Sequence, residues 1–221
     1  MTTIAIVGAG PGLGAAVARR FGREGFRAAL ISRTQAHVDR LAEELAVDGV
    51  TARGYAADVR DPEALTTALA AAADDLGPVS VLQYSPVPRK EFLKPVAETT
   101  TADLRAATEF SILGAATAVR QVLPGMRELG GGTILLPNGS SAATPNAAVA
   151  GTSVAFAGES AYGRMLHDAL AAEGIGVAQL IIPGAIGGGD RLYEPDALAE
   201  RLWQLHAEPG TFRVTVGEGP A

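Results

Sequence analysis

The stretch Thr3-Ile4-Ala5-Ile6-Val7-Gly8-Ala9-Gly10-Pro11-Gly12-Leu13-Gly14 decides how the rest of the chain is read. Ile4 to Val7 is a short apolar run ended by glycines, and beyond it Ala15, Ala18 and Phe21 recur at helical spacing. A strand therefore feeds a helix through a glycine turn. Working outward, the same alternation predicts further strands over 28–31, 51–56, 79–84, 133–136, 177–182 and 212–216. Helices are expected over 36–46, 62–74, 103–129, 148–173 and 196–206. Strands that are nearly all apolar and alternate with helices imply a parallel sheet covered on both faces. The expectation is a doubly wound α/β sheet, mostly parallel and seven-stranded, and 221 residues suit one domain over 1–221.

Composition narrows the function. Eighteen basic against 24 acidic residues leave a net charge of −6, and the acidic residues are spread along the chain, so no basic face for nucleic acid is expected. Cysteine is absent, which removes disulfides, thiolate catalysis and thiolate metal ligands and fits a reducing compartment. His37, His167 and His206 are too scattered for a zinc site, so no metal is expected. The first residues lack a basic segment before the apolar run, and no run of about 18 apolar residues occurs. A cytoplasmic protein without a membrane partner follows as the expectation. The glycine-rich 184–189 segment reads as a mobile loop at the carboxyl edge of the sheet.

The glycine turn points to a ligand. Between a strand and a helix, glycines let the backbone approach a pyrophosphate, while the helix N-terminus offers free N–H groups and the positive end of its dipole. Gly8, Gly10, Gly12, Leu13 and Gly14 are the candidates for that contact.

The Gly-x-x-x-Gly-x-Gly spacing of Gly8, Gly12 and Gly14 resembles the short-chain dehydrogenase/reductase family, and the likeness extends over almost the whole chain. The resemblance implies a Rossmann-type fold and a nicotinamide dinucleotide. Asp58-Val59 looks like the family's adenine-contacting pair and Pro183-Gly184 like its nicotinamide-side turn, while Tyr84-Ser85-Pro86 stands where Asn-Ala-Gly is expected. At the end of the second strand the acidic residue that would bind a ribose 2′-hydroxyl is missing, and the chain reads Ile31-Ser32-Arg33-Thr34. An arginine fork aided by the Ser32 or Thr34 hydroxyl suits a 2′-phosphate, which argues for NADP(H) over NAD(H).

The family's catalytic Tyr-x-x-x-Lys is absent. The only lysines are Lys90 and Lys94, and no tyrosine has a lysine four residues on. Counting back from Pro183-Gly184 puts Thr152 at the tyrosine position and Phe156 at the lysine position, and Ser111 replaces the helix asparagine. The serine persists as Ser140 or Ser141. Tyr84, closing a central strand at the carboxyl edge, is the candidate replacement acid, with Tyr193 beyond the glycine loop as a lid alternative. Tyr162 reads as interface or core, Arg89 and Lys90 as solvated loop charges, and Glu159 and His167 as surface or interface groups.

Three functions remain open: an NADPH-dependent oxidoreductase with a rebuilt acid site acting on a small carbonyl-type substrate, a silent NADP(H)-sensing or scaffold protein, or a non-redox enzyme using the same pocket. A homodimer or homotetramer is expected through the two long helices, whose outer faces would carry Ala115, Ala116 and Ala118, and Ala155, Ala157 and Ala161.

Overall fold

The computed structural model describes residues 2–218. The seven strands are β1 (Thr3–Val7), β2 (Arg27–Ser32), β3 (Ala52–Ala56), β4 (Val79–Tyr84), β5 (Gly132–Gly139), β6 (Ile175–Ile182) and β7 (Arg213–Thr215). They form one parallel sheet in the order β3-β2-β1-β4-β5-β6-β7. The chain winds outward from β1 to β3, returns to β4 and winds outward the other way. That reversal between β1 and β4 opens the crevice where ligands bind in doubly wound sheets.

The helices are α1 (Leu13–Gly22), α2 (Gln35–Val47), α3 (Pro62–Leu76), α4 (Thr101–Thr108), α5 (Gly114–Glu128), α6 (Ala150–Leu170) and α7 (Pro195–Ala207). Their apolar stripes divide the core in two. Phe21 of α1, Val38 and Leu45 of α2 and Leu198 of α7 cover one face of the sheet, and Leu65 of α3, Ala118 of α5 and Leu170 of α6 cover the other. Each helix thus buries one side and shows water the other.

The helix expected over 103–129 is interrupted. A π-helical turn, Glu109–Leu113, separates α4 from α5, and such insertions recur at functional sites. Its cause lies in the packing: the buried Tyr84 hydroxyl donates to the Phe110 carbonyl, giving that oxygen a partner outside the helix. Gly114 leaves the room, since a Cβ there would sit 2.2 Å from the Tyr84 oxygen. α4 starts from a capping box in which Thr100 and Asp103 satisfy each other's backbone N–H groups. β5 runs three residues past the expected end, to Gly139, and β7 is confined to Arg213–Thr215.

Candidate active site

Because every strand is parallel, the segments after β1, β2, β3, β4, β5 and β6 all open at one edge. Gly8, Arg33, Ala57, Ser85, Ser140 and Pro183 follow those strands directly. The sequence candidates from six separate stretches are thereby gathered along a single rim.

A cavity of about 230 Å³ opens at the β1 end of that rim, lined among others by Gly8, Gly10, Ser32, Arg33, Val59 and Phe110. Gly8 has φ +92°, and a Cβ there would lie 2.5 Å from the Pro86 backbone, so only glycine allows the loops after β1 and β4 to meet. Space stays open above Gly10 and Gly12, and α1 begins at Leu13 with no side-chain cap on its first N–H groups. A buried Gly14 packs against Ala9, 3.1 Å from where its Cβ would be. The arrangement fits an anionic pyrophosphate: free N–H groups, open glycine backbone and a helix N-terminus converge on one gap.

No carboxylate lines this cavity. Arg33 is exposed and forms no ion pair among the described residues, so its guanidinium is available to a phosphate. Ser32 and His37 share the wall, and Thr34 is exposed at the start of α2 without a capping bond. Asp58 turns away from the wall, which is made by its neighbours Ala57 and Val59. Its carboxylate is held 3.0 Å from Arg89 and 3.6 Å from Arg60. Although burial pushes its pKa up, the backbone N–H of Arg60 and the two guanidinium charges outweigh that and hold it below the usual carboxylate value. Arg89 is therefore a half-buried partner of Asp58, not a solvated loop charge. Lys90 is exposed.

Ser85 continues β4 through its N–H, which donates to the Val7 carbonyl, and its hydroxyl accepts from buried Gln83. Gly184 lies under the Tyr193 ring, whose atoms would stand 2.2 Å from an added Cβ. Tyr193 is thus half-buried on the Pro183-Gly184 turn, and its hydroxyl lies beside Gly217.

The catalytic expectations need correction. Tyr84 is only 1% exposed and gives its proton to the Phe110 carbonyl. Burial raises its pKa well above the usual phenol value, with the Glu159 and Asp58 charges adding to the effect. A phenol so placed holds α4 and α5 to the sheet and is unavailable as a proton donor. Thr152 is buried and donates to the Val149 carbonyl. Phe156 packs with Ala142 and Ile181, so it is the side chain that stands against the serine turn. Ser140 is exposed and Ser141 is 8% exposed just after β5, neither hydroxyl being taken up by a partner among the described residues. Ser111 is buried inside the π turn. Lys94 is held 2.9 Å from Asp103.

Sequence reading missed a buried polar chain on the same face. Asn138 donates to Glu159, Gln179 donates to Asn138, and Ser160 donates to Gln179, with bond lengths of 3.1, 2.8 and 2.9 Å. Glu159 is 1% exposed, not a surface group, and burial lifts its carboxyl to about 8 despite the Asn138 bond. A neutral carboxylic acid is the stable form there. The available signal was Asn138 and Gln179, two polar residues inside otherwise apolar strands. His167 is also half-buried, its Nδ1 2.8 Å from the Val177 carbonyl. Tyr162 packs half-buried against the core.

The assembly reading changes too. Ala115, Ala118 and Ala155 face the core, at 1%, 0% and 1% exposure, and leave Ala116, Ala157 and Ala161 at least partly open. Gly158 faces Ile112, whose side chain would lie 2.3 Å from an added Cβ.

No metal-binding cluster of His, Asp or Glu occurs among the described residues, and none of their helices is long and apolar enough to cross a membrane. With this geometry established, the comparisons with known proteins become informative. The profile of the short chain dehydrogenase family matches residues 2–190. Galactitol 2-dehydrogenase (L-tagatose-forming) of Cereibacter sphaeroides is 47% identical over 81 residues, covering 37% of this chain and 31% of that protein. The (2S)-[(R)-hydroxy(phenyl)methyl]succinyl-CoA dehydrogenase subunit BbsC of Thauera aromatica is 30% identical over 165 residues, covering 71% and 65%. The matches to curated relatives span between 29% and 65% of those proteins' lengths. Among solved structures, a short-chain dehydrogenase from Rhodopseudomonas palustris superposes with a TM-score of 0.87 at 25% identity, over 99% of both chains. L-sorbose reductase from Gluconobacter frateurii, complexed with NADPH and L-sorbose, shares the fold with a TM-score of 0.84 at 21% identity, over 98% and 95%. The chain is a member of the short-chain dehydrogenase family, an oxidoreductase family that binds nicotinamide cofactors.

Proposed function

We propose that this chain is a cytoplasmic NADP(H)-dependent oxidoreductase acting on a small carbonyl-type substrate through an active site rebuilt without the family's tyrosine and lysine. The single observation that carries the cofactor choice is the unpaired Arg33 on the wall of a cavity that contains no carboxylate. A second carboxylate-free wall residue, Ser32, adds a hydroxyl. Gly8, Gly10, Gly12, Leu13 and Gly14 would hold the pyrophosphate, Arg33 with Ser32 and Thr34 the 2′-phosphate, the backbone at Asp58-Val59 the adenine, and Ser85 and Pro183-Gly184 the nicotinamide half. The solved complex of L-sorbose reductase with NADPH supports the same choice of cofactor. When bound, the dinucleotide supplies hydride transfer.

The chain's own part is orientation and hydrogen bonding. Exposed Ser140 and buried Ser141, which follow β5, would donate to a substrate oxygen on which negative charge develops. Phe156 packs in the cluster beside them and offers no proton. The chain would therefore stabilise that oxygen with neutral hydrogen bonds in place of an acidified phenol, and the proton that completes the alcohol would come from solvent water at the open rim. The partly open Ala116, with exposed Leu113, Val154 and Met165, supports a homodimer or homotetramer built on the outer faces of α5 and α6.

The second reading is a silent NADP(H)-binding protein, favoured by the commitment of the Tyr84 hydroxyl to Phe110. Titration with NADPH followed by a screen of carbonyl, enone and imine acceptors separates the two. Cofactor oxidation with any acceptor supports the enzyme. Tight binding without oxidation by any acceptor supports the silent protein.

A further inference from the structure

A second cleft, of about 440 Å³, lies on the outer side of α6 and away from the dinucleotide cavity, lined by Ala142, Ala143, Ser160, Arg164, Phe212 and Arg213 among others. We propose that this cleft binds a small oxyanion, a phosphate or carboxylate group carried by a small molecule, between Arg213 and Arg164.

Charge is the first reason. In a chain of net charge −6, a cleft walled by two arginines and no carboxylate is a local reversal of sign. Arg213 forms no ion pair among the described residues. Its Nε donates to the Gln179 side-chain oxygen at 2.8 Å and its Nη2 donates to the Ser160 hydroxyl. Both acceptors are neutral, so its full charge remains unneutralised at the cleft. Among the described residues Arg164 pairs with Asp168 alone, at 3.9 Å with both side chains exposed. Both guanidiniums are drawn to one ring, at 4.8 and 5.8 Å from the Phe212 centroid. Two like charges on one ring repel each other, and an anion between them would relieve that repulsion.

Construction is the second reason. Arg213 is exposed, yet its orientation is set from inside: Ser160 is 3% exposed and Gln179 is fully buried, and both are tied to Asn138 and Glu159 by the internal polar chain. A surface arginine held by a buried network is pre-organised, which lowers the entropy lost on binding. Alanines 142, 143, 157 and 161 keep the walls low, leaving room for a ligand of phosphate size or larger.

The test is calorimetric titration of the full chain with inorganic phosphate and separately with succinate, at constant ionic strength in an amine buffer. The wild type should bind at least one of them saturably, the choice identifying the preferred oxyanion. Arg213→Gln and the more exposed Arg164→Gln should each weaken that binding at least tenfold, while Arg33→Ala, which alters the dinucleotide cavity, leaves it in place. Loss in Arg33→Ala with retention in Arg213→Gln overturns the proposal, because phosphate would then occupy the dinucleotide site. Non-saturable heats for both ions also overturn it. So does a change of sedimentation in Arg213→Gln without saturable binding by the wild type, which would mean that a second copy of the chain covers the arginines.

Discussion

The β1-to-β3 half of the sheet edge and the β5-to-α6 half differ in what builds them. In the first, ligand-facing groups are mainly backbone: the glycines of the loop, the uncapped N–H groups of α1 and the bare wall at Ala57 and Val59. Arg33 adds one exposed, unpaired charge. In the second half, the groups that matter are side chains already bound to one another, from Glu159 to Ser160 through Asn138 and Gln179, while Tyr84, at the end of β4 between the halves, is bound to the Phe110 backbone carbonyl. The first half is organised to receive something and the second to hold itself together. A family fold can therefore keep an open glycine turn beside a half whose polar side chains are bound to one another.

The largest blow to that contrast is Gly8→Val. A branched Cβ at φ +92° would meet the Pro86 backbone at 2.5 Å, and strain and overlap together should cost about 3 kcal/mol or more. Denaturant unfolding should show that loss, and NADPH binding should disappear with it. Arg33→Asp comes next. Removing a charge-assisted fork and adding repulsion should shift the NADPH-to-NADH preference by about 3 kcal/mol, more than a hundredfold, without changing the unfolding midpoint.

Phe156→Tyr sharpens the contrast from the other side. Phe156 touches Ala142, the residue after Ser141, whereas the Thr152 hydroxyl is tied to Val149. A phenol at 156 should raise carbonyl reduction up to about a hundredfold, the size of a positioned acid's contribution. Thr152→Tyr should not. Steady-state rates of both variants with the same acceptor check this.

Taken per pH unit, the smallest effect is in pH dependence. Glu159 has its carboxyl raised from 4.5 to about 8, so the folded chain keeps a proton that the unfolded chain releases. The contribution is complete below about pH 4.5 and is lost as pH rises toward 8, at up to about 1.4 kcal/mol per pH unit for one proton. Glu159→Gln should keep the Asn138 bond and flatten that decline, as read by denaturation at pH 5, 6.5 and 8.

The same difference explains what the sequence made legible. Alternating apolar runs disclosed all seven strands, because a buried parallel sheet leaves no other composition. Gly8, Gly12 and Gly14 disclosed the loop, because positive φ at Gly8 and close backbone approach at Gly8 and Gly14 demand glycine. Tyr84 misled: its position at the end of β4 suited a catalytic acid, and only the π turn at Phe110 reveals where its proton goes. Glu159 misled because spacing on α6 cannot tell a solvated face from one turned toward Asn138. Side-chain pairing between distant strands and helices leaves no local pattern.

The central claim is that the dinucleotide half survives as an NADP(H) site beside a catalytic half that has lost its acid. Calorimetric titration of the native chain with NADPH and with NADH at the same ionic strength tests it most directly. The account predicts one site per chain, with NADPH bound at least tenfold more tightly, about 1.4 kcal/mol. Equal affinities, or binding of neither, would contradict it.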